Sequence, residues 1–129
     1  MRYPRLYSDV DGLSHFDAVE VDLAPADYAP PAPLISISRP EKAVQALFYR
    51  LPAGWFGDWH PSPIRQFYVQ LGGVIEFGAG DGELRRLEPG MVVLLDDVRP
   101  PGHISRVIGS VDSVGFLVQL ETASATELQ

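Results

Sequence analysis

The residues best placed to do chemistry are His60 and His103, with the carboxylates Asp58, Asp96 and Asp97 close to them in the chain. The sequence has no cysteine, so a bound metal must be held by histidine, carboxylate or amide. Two neutral imidazoles suit a divalent transition metal such as Fe, Zn, Ni, Mn or Cu, with an aspartate available as a further ligand. The same residues also suit metal-free proton transfer. Imidazole titrates near neutral pH, and an aspartate at 96 or 97 on its other nitrogen would fix its tautomer. Arg65 could grip a substrate carboxylate in bidentate fashion, or pair at the surface with Glu76 or an Asp. Trp55, Phe56 and Trp59 precede His60 and either wall an apolar pocket or pack a core or interface. Asp96-Asp97 also reads as a plain strand-end turn, and His15, beside Phe16, as a structural or exposed residue.

Short segments with period-two alternation must carry these groups. Residues 65–71 place Gln66, Tyr68 and Gln70 on one face and Phe67, Val69 and Leu71 on the other. Buried amides without partners cost on the order of 1–3 kcal/mol each, so that polar face implies a cavity rather than a dry core. His103, Ser105 and Val107 share a second such face, and Gly115, Leu117 and Gln119 a third. Further strands are expected at 18–23, Ala43–Leu51, 55–60, 74–77, 83–87, 91–95, His103–Ile108 and Ser113–Leu120, punctuated by Gly72-Gly73, Asp81-Gly82, Pro89-Gly90 and the linker 98–102. Pro25, Pro30, Pro31, Pro33 and Pro40 make an arm, with Leu34, Ile35 and Ile37 free to dock on a sheet or a partner subunit. The reading is an all-β sandwich or barrel with a frayed tail.

Composition sets limits on partners. A chain of 129 residues supports one domain and one compact site, and 12 Gly plus 12 Pro exclude coiled coils and helical bundles. Seventeen acidic residues against 10 basic give a net charge of −7, which repels phosphate backbones and anionic lipid; neither nucleic acid nor membrane is expected as a partner. The N-terminus lacks the apolar run of a signal peptide, and the absence of cysteine fits a reducing compartment, so the expected location is the cytoplasm.

The order Gly57-Asp58-Trp59-His60-Pro61-Ser62-Pro63-Ile64-Arg65-Gln66, then Gly73, Pro89-Gly90 and Gly102-His103 resembles the two motifs of the cupin superfamily. Gly73 lies seven positions beyond Gln66, which puts Gln66 at the motif's Glu position, His60 at the first His and Ser62 at the second. His103 matches the closing His; the Asn that often follows is missing, with Arg106 and Val107 nearby. A group of small bacterial cupins is similar over nearly the whole chain, through Ser14-His15-Phe16, Ala29-Pro30-Pro31, Gly57-Asp58-Trp59-His60-Pro61, Arg65-Gln66 and Gly102-His103, and departs at Val98-Arg99-Pro100-Pro101.

The resemblance implies one RmlC-like cupin domain over 1–129, a double-stranded β-helix or jelly-roll barrel. Its N-terminal strand and arm would cover about 1–44, its barrel about 45–121 and its tail 122–129. The implied metal set is His60, Gln66 and His103. The expected catalytic residues are His60, His103 and Tyr68, and the expected substrate-binding residues are Arg65, Gln66, Gln70, Trp59 and Ser105. A homodimer covered by the arm is expected. The expected function is a small-molecule site in the lumen, serving a metal-dependent oxygenase or isomerase, a non-catalytic binding or sensing module, or a metal-free His-dependent epimerase.

Overall fold

A computed structural model describes residues 1–121; the expected tail at 122–129 lies outside the described residues. The described residues form 12 strands and no helix. Eight of them build the barrel: β5 (Ala43–Leu51), β6 (Phe56–His60), β7 (Gln66–Gly72), β8 (Val74–Gly78), β9 (Leu84–Leu87), β10 (Val92–Asp96), β11 (His103–Ile108) and β12 (Ser113–Leu120). Their order is β10-β7-β12-β5 in one sheet and β6-β11-β8-β9 in the other. Two antiparallel sheets with these strand orders, the chain crossing between layers at every step but β8 to β9, are a jelly roll. The alternation along each strand dictates the layering. On β7, Gln66, Tyr68 and Gln70 are buried between the sheets while Phe67 and Val69 lie on the outer face, half-buried.

The N-terminus extends the first sheet. β1 (Arg2–Ser8) runs parallel to β10, with Leu6 opposite Leu95, and β2 (Ser14–Glu20) pairs antiparallel on its far side. The sequence pattern had suggested a strand at 18–23; the strand lies earlier because its alternation is set by cross-strand ion pairs. Arg2 meets Glu20 and Arg5 meets Asp17, and the chain leaves the sheet once Val21 N has donated to Met1 O. The prolyl arm contains a hairpin of its own, β3 (Ala24–Ala26) with β4 (Ile35–Ile37), which forms a separate two-stranded sheet. Pro25 is tolerated there because this small ribbon has two free edges.

The core lies between the layers and joins Leu6, Tyr68, Ile75, Phe77, Ala79, Leu87, Val93 and Leu95, with Tyr49, Leu51, Phe16 and Leu117 packed against it. Glycine is required at two places that shape the interior. Gly102 has φ +77°, and a Cβ there would run into the carbonyl of His60, so the linker before His103 can lie flat against β6. Gly115 leaves the space that the Tyr49 ring fills.

Candidate functional site

β6 and β11 pair with His60 directly opposite His103, which places the two rings side by side at 4.5 Å between centroids. His103 is buried and stands edge-on to Phe77 at 5.5 Å. Its Nδ1 donates to Asp97 Oδ2 at 2.5 Å, and Asp97 is wholly buried with its Oδ1 unpartnered. That bond settles which of the two adjacent aspartates faces the imidazole. Asp96 is the last residue of β10 and turns to the outer face, between Arg5 and Arg65 at 3.9 Å each. Burial raises the Asp96 pKa, and the two guanidiniums pull it back. His60 Nδ1 donates to the carbonyl of Asp58 at 2.5 Å. Both imidazoles thus commit Nδ1 to an acceptor and keep Nε2 as a lone-pair nitrogen.

The two rings line a cavity of about 270 Å³ between the sheets. Its polar wall holds His60, His103, Ser62, Gln66 and Ser105; the remaining lining is aromatic and aliphatic and includes Trp55, Tyr49, Tyr68 and Phe77. No Lys, Arg, Asp or Glu lines it. A directional chain of side chains runs along one side. Gln45 donates to Gln119 at 2.5 Å, Gln119 to Gln66 Oε1 at 3.3 Å, Gln66 to Ser62 Oγ at 3.1 Å, and Ser62 to the Ile64 carbonyl at 2.7 Å. The Ser62 backbone N–H donates to the Asp97 carbonyl at 3.0 Å, tying this chain to the His103 pair.

Of the residues singled out from sequence, His60, His103, Gln66, Ser105 and Tyr68 come together around the cavity. Tyr68 lies apart from the imidazoles, with the Phe77 ring touching both it and His103. Burial raises the Tyr68 pKa, with Ser113 opposing, so the phenol stays protonated across physiological pH. Gln70, Arg65 and Trp59 are not among the cavity residues. The Gln70 amide is fully buried and donates to the Gly72 carbonyl at 2.8 Å and Ser113 Oγ at 2.9 Å, closing the barrel end. Arg65 lies 3.9 Å from Asp96 and from Glu41, and Trp59 is exposed while Trp55 lines the cavity. Asp97 had been one of two candidates, and Gln45 had no sequence signal at all.

A divalent metal at this site would have the Nε2 atoms of His60 and His103 and the Gln66 amide oxygen. Both Nδ1 atoms are anchored as they are in metal-binding imidazoles. The set has no anionic member, because Ser62 stands at the second His position with its hydroxyl spent on Ile64 and Asp97 is turned to His103. Among the described residues no group of three His, Cys, Asp or Glu converges on one point. Two imidazoles and a hydrogen-bonded amide are a weaker donor set for a divalent ion than one that includes a third His or a carboxylate.

The strand order and the two motif hairpins define a small cupin-like jelly roll with a cavity between its sheets. No family model matches the chain, and no curated protein matches it. Solved structures similar in fold include a cupin domain from Bordetella pertussis, 16% identical over 81% of this chain and 98% of that one, with a TM-score of 0.45. The Cnp3 cupin domain of Schizosaccharomyces pombe is 15% identical over 94% of this chain and 83% of its own, with a TM-score of 0.46. A conserved protein of unknown function from Streptococcus pyogenes is 18% identical over 67% and 72%, with a TM-score of 0.46.

Proposed function

We propose that the lumen binds a small neutral molecule and that His103, oriented by Asp97, removes a proton from it without a metal. The single observation behind this reading is the buried Asp97–His103 hydrogen bond at the wall of a cavity with no charged lining. Asp97 holds the proton on Nδ1, which leaves Nε2 as the base and stabilises the imidazolium that forms. A developing negative charge on the ligand would be met by the donors the lining leaves uncommitted, the Ser105 hydroxyl and the second N–H of the Gln66 amide. At about 270 Å³ the space lies just below the usual 300–1,000 Å³ of ligand pockets. With no cation to neutralise a carboxylate or phosphate, it favours an uncharged carbonyl compound, whose α C–H is the proton such a base can take.

The test is hydrogen exchange. Protein freed of metal by dialysis against chelator is incubated in D2O with a panel of small neutral aldehydes and ketones, and α-deuteration is followed by proton NMR. The expected result is enhanced deuteration of at least one compound, reduced on the order of 100-fold in His103→Gln. Binding of panel members without exchange would leave a non-catalytic binding module in place of the enzyme reading. Exchange or binding that appears only after Fe, Zn, Ni, Mn or Cu is restored would replace the metal-free reading with a metal-dependent one.

A further inference from the structure

We infer that the free edge of β5 is a self-association surface, joining two copies of this chain by antiparallel β5–β5 pairing into one continuous sheet. The inference stands apart from the chemistry proposed for the lumen. β5 ends the six-stranded sheet, with β12 on one side and no strand among the described residues on the other. It is the longest strand, nine residues, and seven of them are exposed, including Val44, Leu47 and Phe48 on both faces.

The other edges of the two barrel sheets carry devices that discourage pairing, and β5 does not. β2 at the opposite end holds Asp17 and Glu20, β9 holds Arg85 and Arg86, and β6 is five residues long with Asp58 exposed. Natural edges are blunted by charge, proline, bulges or shortness, whereas a long apolar edge is a pairing template. β5 contains no proline, glycine or acidic residue, and its one charge is Arg50. In a chain of net charge −7 this is the strand along which a second copy meets least repulsion.

The strand is also compatible with itself. A two-fold axis normal to the sheet keeps each face on its own side, so facing residues must be an even number of positions apart. Centring the axis on Leu47 uses all nine residues: Leu47 faces its own mate, Ala46 faces Phe48, Gln45 faces Tyr49, Val44 faces Arg50 and Ala43 faces Leu51. Phe48 then meets Ala46 and Leu51 meets Ala43, and the two Arg50 side chains sit about 20 Å apart at opposite ends. Phe48, already stacked on Phe116 at 4.8 Å, continues an apolar band across the axis. Pairing also fixes Gln45, the first member of the side-chain series that reaches Gln66 and Ser62 at the cavity.

Sedimentation and crosslinking test the pairing. The wild-type chain is expected to sediment at twice its 14.2 kDa at tens of micromolar. Because the protein has no cysteine, Leu47→Cys introduces a lone thiol that lies opposite its mate at a separation a disulfide can span, whereas Val44→Cys places its thiol about 20 Å from its mate. Mild oxidation should therefore crosslink the first variant and not the second. Val44→Lys, which sets Lys against Arg50 at both ends, should weaken the dimer roughly tenfold, and Val44→Glu should not. A monomeric wild type overturns the inference. So does a dimer in which Leu47→Cys fails to crosslink, or in which Lys and Glu at 44 behave alike; either of these places the contact elsewhere, as on the β3–β4 hairpin.

Discussion

Two histidines in this molecule sit against aspartate carboxylates, and they are used in opposite ways. His15, on β2, has both ring nitrogens occupied, Nε2 on Asp9 Oδ2 at 2.7 Å and Nδ1 on Asp81 Oδ2 at 3.1 Å. Donating to both requires the imidazolium, and the ring becomes a clasp between the β1–β2 loop and the β8–β9 turn. His103 has one aspartate, on Nδ1, and faces a cavity with the other nitrogen. The clasp lies near the surface, where its charges are solvated; the Asp97 pair is buried, where an unpartnered carboxylate oxygen is expensive to keep. A fully paired histidine holds structure together, and one left half-paired inside a cavity is available for proton transfer.

The sharpest way to break this contrast is to remove each aspartate in turn. Asp97→Ala leaves the buried Nδ1–H of His103 without an acceptor and should cost about 3 kcal/mol in urea unfolding, with loss of any exchange activity. A change below about 1 kcal/mol would mean that the pair contributes no more than an exposed one. Gly102→Ala should follow, at about 2 kcal/mol, because an L-residue at φ +77° also drives its Cβ into the His60 carbonyl. If its crystal structure showed the His60–His103 ring spacing unchanged, the linker would not be setting the site. Trp55→Ala should weaken ligand binding several-fold while Trp59→Ala leaves it unchanged, since only Trp55 lines the cavity; titration of a compound found by the exchange screen reads both.

The clasp gives the smallest effect and a pH signature. The hydrogen bond with Asp9 raises the His15 pKa from 6.5, so its stabilisation is complete below pH 6.5 and fades as pH climbs through the raised value. The Asp9 pKa is lowered by His15, and that of Asp81 chiefly by the Glu83 N–H, so theirs is complete above pH 3.8 and fades below. The clasp should therefore add to Tm between about pH 4 and 6.5 and weaken outside that window. In His15→Gln, Tm should fall slightly within the window, and the difference from wild type should shrink toward pH 9. A difference that grows with pH would reverse the assignment.

Most of the barrel was readable from residue alternation because its strands bury one face each. β5, β11 and β12 fall at the boundaries that alternation gives. β1 escaped because Pro4 and two arginines break its pattern, and it is held by ion pairs and a parallel partner that no local window contains. At the site, motif order was enough to bring His60, His103 and Gln66 to one place. It could not separate Asp96 from Asp97, since neighbours on a strand end point to opposite faces and only the register of β10 against β7 decides between them. Nor could it show that Gln70 is spent on Ser113, a residue 43 positions away.

The most direct measurement is a long-range ¹H–¹⁵N correlation spectrum of histidine-labelled protein near pH 8.5, where an ordinary imidazole is neutral. His103 should appear as the Nδ1–H tautomer with an unprotonated Nε2, and Asp97→Asn should move it toward Nε2–H. A wild-type His103 protonated on Nε2, or one whose tautomer ignores the change at 97, would contradict the assignment of its Nε2 as the base in the cavity.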